Sequence, residues 1–84
     1  MTQNEDIKQK LLEFICSNFM VEKDEIDLEK SLVDTGIIDS IGLIEIAAFI
    51  EREYSFKVEE EQITRENFGS VVKIVNFIMQ GIKN

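Results

Sequence analysis

The stretch Asp39-Ser40-Ile41-Gly42-Leu43-Ile44-Glu45-Ile46-Ala47-Ala48-Phe49-Ile50, near the middle of an 84-residue chain, reads as the opening of a helix. Asp39 is a good N-cap, because its carboxylate accepts from backbone N–H groups that a first turn leaves unpaired. From there Leu43, Ile46, Ala47, Ile50 and Tyr54 recur at three- and four-residue steps, which predicts one buried face on a helix over residues 40–54. Ile41, Ile44 and Ala48 fall on the opposite side, flanked by Glu45 and Glu51. One face has a core to join. The other needs a separate explanation.

Working outward, Ile7, Leu11, Phe14, Ile15 and Phe19 form the stripe of an amphipathic helix over about 5–20. Residues 21–39 lose that period and read as a long loop. After Ser55-Phe56-Lys57, the segment Glu59 to Thr64 suits a single short turn of helix. Ser70 then caps a last helix over 70–82, with Val71, Ile74, Val75, Ile78 and Ile82 as its stripe. No run alternates long enough to argue for a strand. The expectation is an all-α fold in one domain, residues 1–84. It is a small four-helix bundle of three main helices and one short one, with a long loop between the first two. Ile7, Leu11, Phe14, Leu43, Ile46, Ile50, Val71, Ile74 and Ile78 should supply most of the core.

The composition removes whole classes of function. Seventeen acidic against nine basic residues give a formal charge of −8, and every acidic residue precedes position 67. Such a surface repels nucleic acid and anionic membrane, and steers encounter with basic protein patches. No apolar run approaches the ~20 residues needed to cross a bilayer, so no membrane insertion is expected. Met1 to Lys10 is polar and mixed in charge, unlike a signal peptide, and the expected location is the cytoplasm. With no histidine and only Cys16, neither a thiolate metal cluster nor a His-paired nucleophile is available. Cys16 itself is expected to be a partly buried, inert thiol. Calcium loops fail on spacing, since the third position from Asp24 is Ile26 and from Asp34 is Gly36. No metal site and no catalytic residue is expected.

The segment Asp34-Thr35-Gly36-Ile37-Ile38-Asp39-Ser40-Ile41 resembles the phosphopantetheine attachment signature of acyl and peptidyl carrier proteins, Gly-x-x-Asp-Ser-Leu. The resemblance extends over nearly the whole chain, from the first amphipathic helix through Phe68-Gly69-Ser70-Val71 at the start of the last. It implies that Ser40 receives a 4′-phosphopantetheine arm from coenzyme A, and that Asp39 contacts the modifying transferase besides capping the helix. A serine in a first helical turn is exposed, and its new phosphodiester lies near the positive end of the helix dipole. The arm's thiol would carry acyl or aminoacyl thioesters between enzymes, and the protein itself would not be an enzyme. Implied partners are a phosphopantetheinyl transferase, a loading enzyme, and downstream synthases or transferases, met by a monomer. Ile41, Ile44, Glu45, Ala48 and Glu51 become the docking surface.

Other readings stand beside these. In a helical protein without this setting, Ser40 would merely assist capping, and Ile41 and Ile44 would pack under the long loop. Ile63 and Phe68 either line a cargo cleft or belong to the core. Three features depart from the signature: Ile41 in place of leucine, Gly42 inside the first turn, where glycine weakens a helix, and Arg52 in the acidic edge. Ser-Ile-Gly is reminiscent of D-alanyl and other specialised carriers. Fatty acyl, polyketide and amino acid cargo all remain open, as does an acidic helical adaptor without a prosthetic group.

Overall fold

The computed structural model describes residues 3–83. Its helices are α1 (Gln3–Phe19), α2 (Ser40–Tyr54), α3 (Arg65–Phe68) and α4 (Val71–Lys83). Single 3₁₀ turns form at Lys23–Glu25 and Glu60–Gln62, and no strand occurs among the described residues. The all-α, four-helix bundle expected from the sequence is what forms. α4 is its central element, packing against α1, α2 and α3. The cause is its composition: Val71, Ile74, Val75, Phe77 and Ile78 are all buried, and apolar area removed from water drives the packing.

Several boundaries differ from expectation for local reasons. α1 ends at Phe19, because Met20 takes a left-handed φ of 57° that closes the helix. The short helix expected over 59–64 is instead two pieces. The glutamate run makes only a 3₁₀ turn, in which the Gln62 side chain accepts from the Glu59 N–H at 2.8 Å. The α-helical turn follows it, where Thr64 Oγ1 accepts from the Asn67 N–H at 3.3 Å and starts α3. Its last residue, Phe68, is fully buried and belongs to the core.

Seven of the nine expected core residues are buried; Phe14 and Leu43 are half-buried. Phe14 stacks on Phe49 at the seam between α1 and α2, with ring centroids 4.4 Å apart. Leu43 lies beside the innermost line of α2, which runs through Gly42, Ile46, Phe49 and Ile50. Ile82, placed in the α4 stripe, is exposed, since that stripe is covered only as far as Ile78. Cys16 is half-buried against the core, as expected.

The long loop is more ordered than its lack of period suggests. It sends Ile26, Leu32 and Ile38 into the core. Leu32 donates its N–H to the Gly69 carbonyl at 2.9 Å, and its own carbonyl accepts from Ile37 and Ile38 at 3.0 and 3.2 Å. Val72 donates to the Leu28 carbonyl at 3.1 Å, a second stitch to the start of α4. Gly36, at φ 82°, supplies the left-handed turn between these anchors. Arg65 grips the Asp34 carboxylate through both guanidinium nitrogens at 3.0 Å. Both side chains are exposed, so this pair orients the loop more than it stabilises it.

Among the described residues, one buried side-chain group is left unsatisfied. The Tyr54 hydroxyl, at the end of α2, has no hydrogen-bond partner among the described residues. Burial pushes its pKa above the ordinary tyrosine value of 10.0, and the carboxylates of Glu53 and Asp6 push the same way. A raised pKa in the folded state means that the neutral phenol is favoured. That contribution is fully present below pH 10.0 and is lost as pH rises through the raised value. Tyr54→Phe should therefore cost no stability at neutral pH, since only an orphaned hydroxyl is removed. It should also lessen the alkaline loss. Urea unfolding of both proteins at neutral pH and above pH 10.0 checks this, and equal alkaline losses would refute it.

Candidate functional site

Ser40 is the first residue of α2, and its side chain is exposed. Its hydroxyl makes no hydrogen bond among the described residues. The residue before it does the capping. Asp39 has extended backbone, and its Oδ1 accepts from the Gly42 N–H at 2.9 Å. Its carbonyl accepts from the Leu43 N–H at 3.3 Å. A cap of this kind stabilises a helix by about 1 kcal/mol. Ser40 is thereby free of structural duty, at the positive end of a 15-residue helix.

Gly42 does more than weaken a turn. It is buried, with Ile38 and the ring of Phe19 lying directly against it. A Cβ there would come within 3.0 Å of the Ile38 Cβ and 3.1 Å of the Phe19 ring. The glycine lets the end of α1 reach the turn that carries Ser40. Beside that contact lies a recess of about 510 Å³, walled by Phe19, Val33, Ile37 and Ile38 and reaching Asp39 and Ser40. Sequence reasoning missed this recess. Its one signal was Gly42, a missing side chain on the inner face of an apolar helix.

On the outer face of α2, Ile41 and Ile44 are 67% and 59% exposed, so neither packs under the loop. Ala48, Glu45 and Glu51 are exposed with them. The two acids are not idle: Asn18 of α1 donates to Glu45 at 2.5 Å, and the Val58 N–H donates to Glu51 at 2.8 Å. Glu51 thus also anchors the connection after α2. A second groove of about 370 Å³ separates Ile44 and Ala48 from the half-buried Ile63.

Residues 9–78 match the family model described as the phosphopantetheine attachment site. The chain belongs to the phosphopantetheine-binding carrier family. It is 38% identical over 81 residues to the acyl carrier protein of Phytoplasma mali (strain AT), covering 93% of this chain and 90% of that one. It is also 27% identical over 75 residues to the D-alanyl carrier proteins of Streptococcus suis (strain 05ZYH33) and Streptococcus sanguinis (strain SK36), covering 89% of this chain and 94% of each relative. Carriers of this family bear covalently attached 4′-phosphopantetheine and are generally non-catalytic.

The carrier's own geometry fits that group. An exposed, unpaired serine hydroxyl opens a helix whose first N–H groups favour an added phosphodiester. The neighbouring recess leaves room beside the serine. No cluster of His, Cys, Asp and Glu able to hold a metal occurs among the described residues. No described helix is long and apolar enough to cross a membrane.

Proposed function

We propose that Ser40 is the attachment residue, and that this carrier passes acyl or aminoacyl thioesters between biosynthetic enzymes. The observation that carries the reading is the free hydroxyl of Ser40 at the start of α2, with Asp39 doing the capping. In the modification, the Ser40 oxygen bonds to the pantetheine-bearing phosphorus of coenzyme A. The pyrophosphate P–O bond breaks, adenosine 3′,5′-bisphosphate leaves, and the serine proton passes to a base on the transferase. The carrier contributes position: a hydroxyl unencumbered by hydrogen bonds, and a helix terminus that favours the new negative charge. When bound, the group supplies a terminal thiol able to form thioesters. Incubation with coenzyme A, magnesium and a broad-specificity phosphopantetheinyl transferase should add the mass of one phosphopantetheinyl group. An unmodified mass with several such transferases would sink the proposal.

The cargo is a separate question, because the relatives' names include both acyl and D-alanyl carriers. Charging the modified protein in parallel with acyl and aminoacyl donors distinguishes them by mass.

The outer face of α2 is the proposed docking surface for transferase and loading enzyme. Ile41, Ile44 and Ala48 form a small exposed apolar strip, and Glu45 and Glu51 give its edges negative charge. Because Glu51 also accepts from Val58, reversing its charge would disturb the fold as well as the surface. Glu45→Gln combined with Glu51→Gln removes the charges and keeps acceptor oxygens. That variant should slow modification several-fold at low salt and converge on wild type at high salt, where screening has already weakened such contacts. Equal rates at low salt would count against this surface.

A further inference from the structure

Two recesses flank α2 near Ser40, and they differ in what they offer a tethered ligand. The groove on the outer side, between Ile44 and Ile63, starts a full turn beyond the serine and does not include it. The recess on the loop side has Ser40 itself in its wall. Phe19, Val33 and Ile37 are each half-buried there, with apolar surface still open, above the buried Ile38. Taking Ser40 as the attachment residue, we infer that the phosphopantetheine arm rests its geminal dimethyl group in this loop-side recess. Phe19, Val33 and Ile37 receive it, and the outer face of α2 stays free for partners.

Three features support that seat. The dimethyl carbon is separated from the serine-linked phosphate by only an ester oxygen and one methylene, so it must find its surface close to Ser40. The recess opening on Ser40 is an open depression of about 510 Å³, apolar along Phe19, Val33, Ile37 and Ile38 and polar where Asp39 and Ser40 line it, with room for the branched part of the arm. It is also held in shape before any arm is present. The Phe19 ring is locked against Gly42, with a further edge contact to Phe14 at 6.2 Å. The carbonyl of Leu32 holds the N–H groups of Ile37 and Ile38. A seat that needs no rearrangement loses little of its binding to ordering. With the arm on that side, Ile41 and Ile44 keep their exposure, and an enzyme can dock before it draws the thiol into its own site.

The test compares the apo protein with the phosphopantetheinylated protein, whose mass gain is verified first. In isotope-filtered NMR of the holo protein, the geminal methyl protons should show contacts to Phe19, Val33 and Ile37, and the two methyl signals should separate. Val33→Asp, which puts a carboxylate into the apolar wall of the recess, should remove those contacts. Ile63→Ser, in the outer groove but off the docking strip of α2, should leave them in place. Circular dichroism and retained mass gain confirm that each variant is folded and loaded. Contacts to Ile44 and Ile63 instead, or methyl signals as narrow and coincident as those of free coenzyme A, would overturn the seat while leaving Ser40 as the attachment residue. No mass gain at all would instead overturn the reading of Ser40.

Discussion

Ser40→Ala should lose the whole phosphopantetheinyl mass gain and keep its helical circular dichroism and unfolding midpoint. The loss is complete because no other serine offers the same setting. Ser17 lies within α1, and Ser31 already accepts from the Asp34 N–H at 3.1 Å. Ser55 follows the end of α2 in a left-handed conformation, away from any helix start. Ser70 is 3% exposed and accepts from the Lys73 N–H. Stability should hold because the cap belongs to Asp39 and the Ser40 hydroxyl is exposed and unpaired. Alanine is also the better helix former, so the change should stay within about 0.5 kcal/mol. Mass spectrometry and thermal melts read the two outcomes separately. Residual modification of Ser40→Ala would place the attachment elsewhere.

Leu32→Ala should be the most damaging single change in the long loop. Leu32 is 1% exposed, and truncating a buried leucine costs about 3–5 kcal/mol, through lost burial and the cavity left behind. A chain of 84 residues has only roughly 4–13 kcal/mol of stability in total. The variant should therefore unfold at markedly lower urea concentration. It should also open locally, because the Leu32 carbonyl holds the amides of Ile37 and Ile38. Those two amides should exchange with deuterium faster than amides inside α4. Val33→Ala, at a half-buried neighbouring position, should cost clearly less. An unchanged urea midpoint for Leu32→Ala would show that the loop does not depend on this anchor.

The main helices were legible because each carries a periodic apolar stripe, and the starts of α2 and α4 are marked besides by the caps Asp39 and Ser70. α2 begins at Ser40 and ends at Tyr54 as its pattern and Asp39 indicate. The short helix was misplaced because Glu59-Glu60-Glu61 resembles a helix start, whereas Thr64 provides the cap for α3. Ile26, Leu32 and Ile38 were illegible as core. Each is one apolar residue in a polar loop, and only contact with distant elements tells such a residue from an exposed one. Gly42 misled for the same reason. Its cost to a helix is a local property, while its use as a landing place for Phe19 is not.

By itself, then, the sequence determined the all-α class, the three main helices, the cap at Asp39 and the placement of Ser40 in the first turn of α2. These depend on residues within a few positions of one another, through helical period and first-turn hydrogen bonding. Only the tertiary structure decided that Leu32 ties the loop to Gly69, that Glu51 holds Val58, and that Phe19 closes on Gly42 beside a recess that includes Ser40. Phe19 and Gly42 are far apart along the chain, and a local pattern has no term for which surfaces will meet. That meeting is set by how the helices shed water against one another, with α4 at the centre.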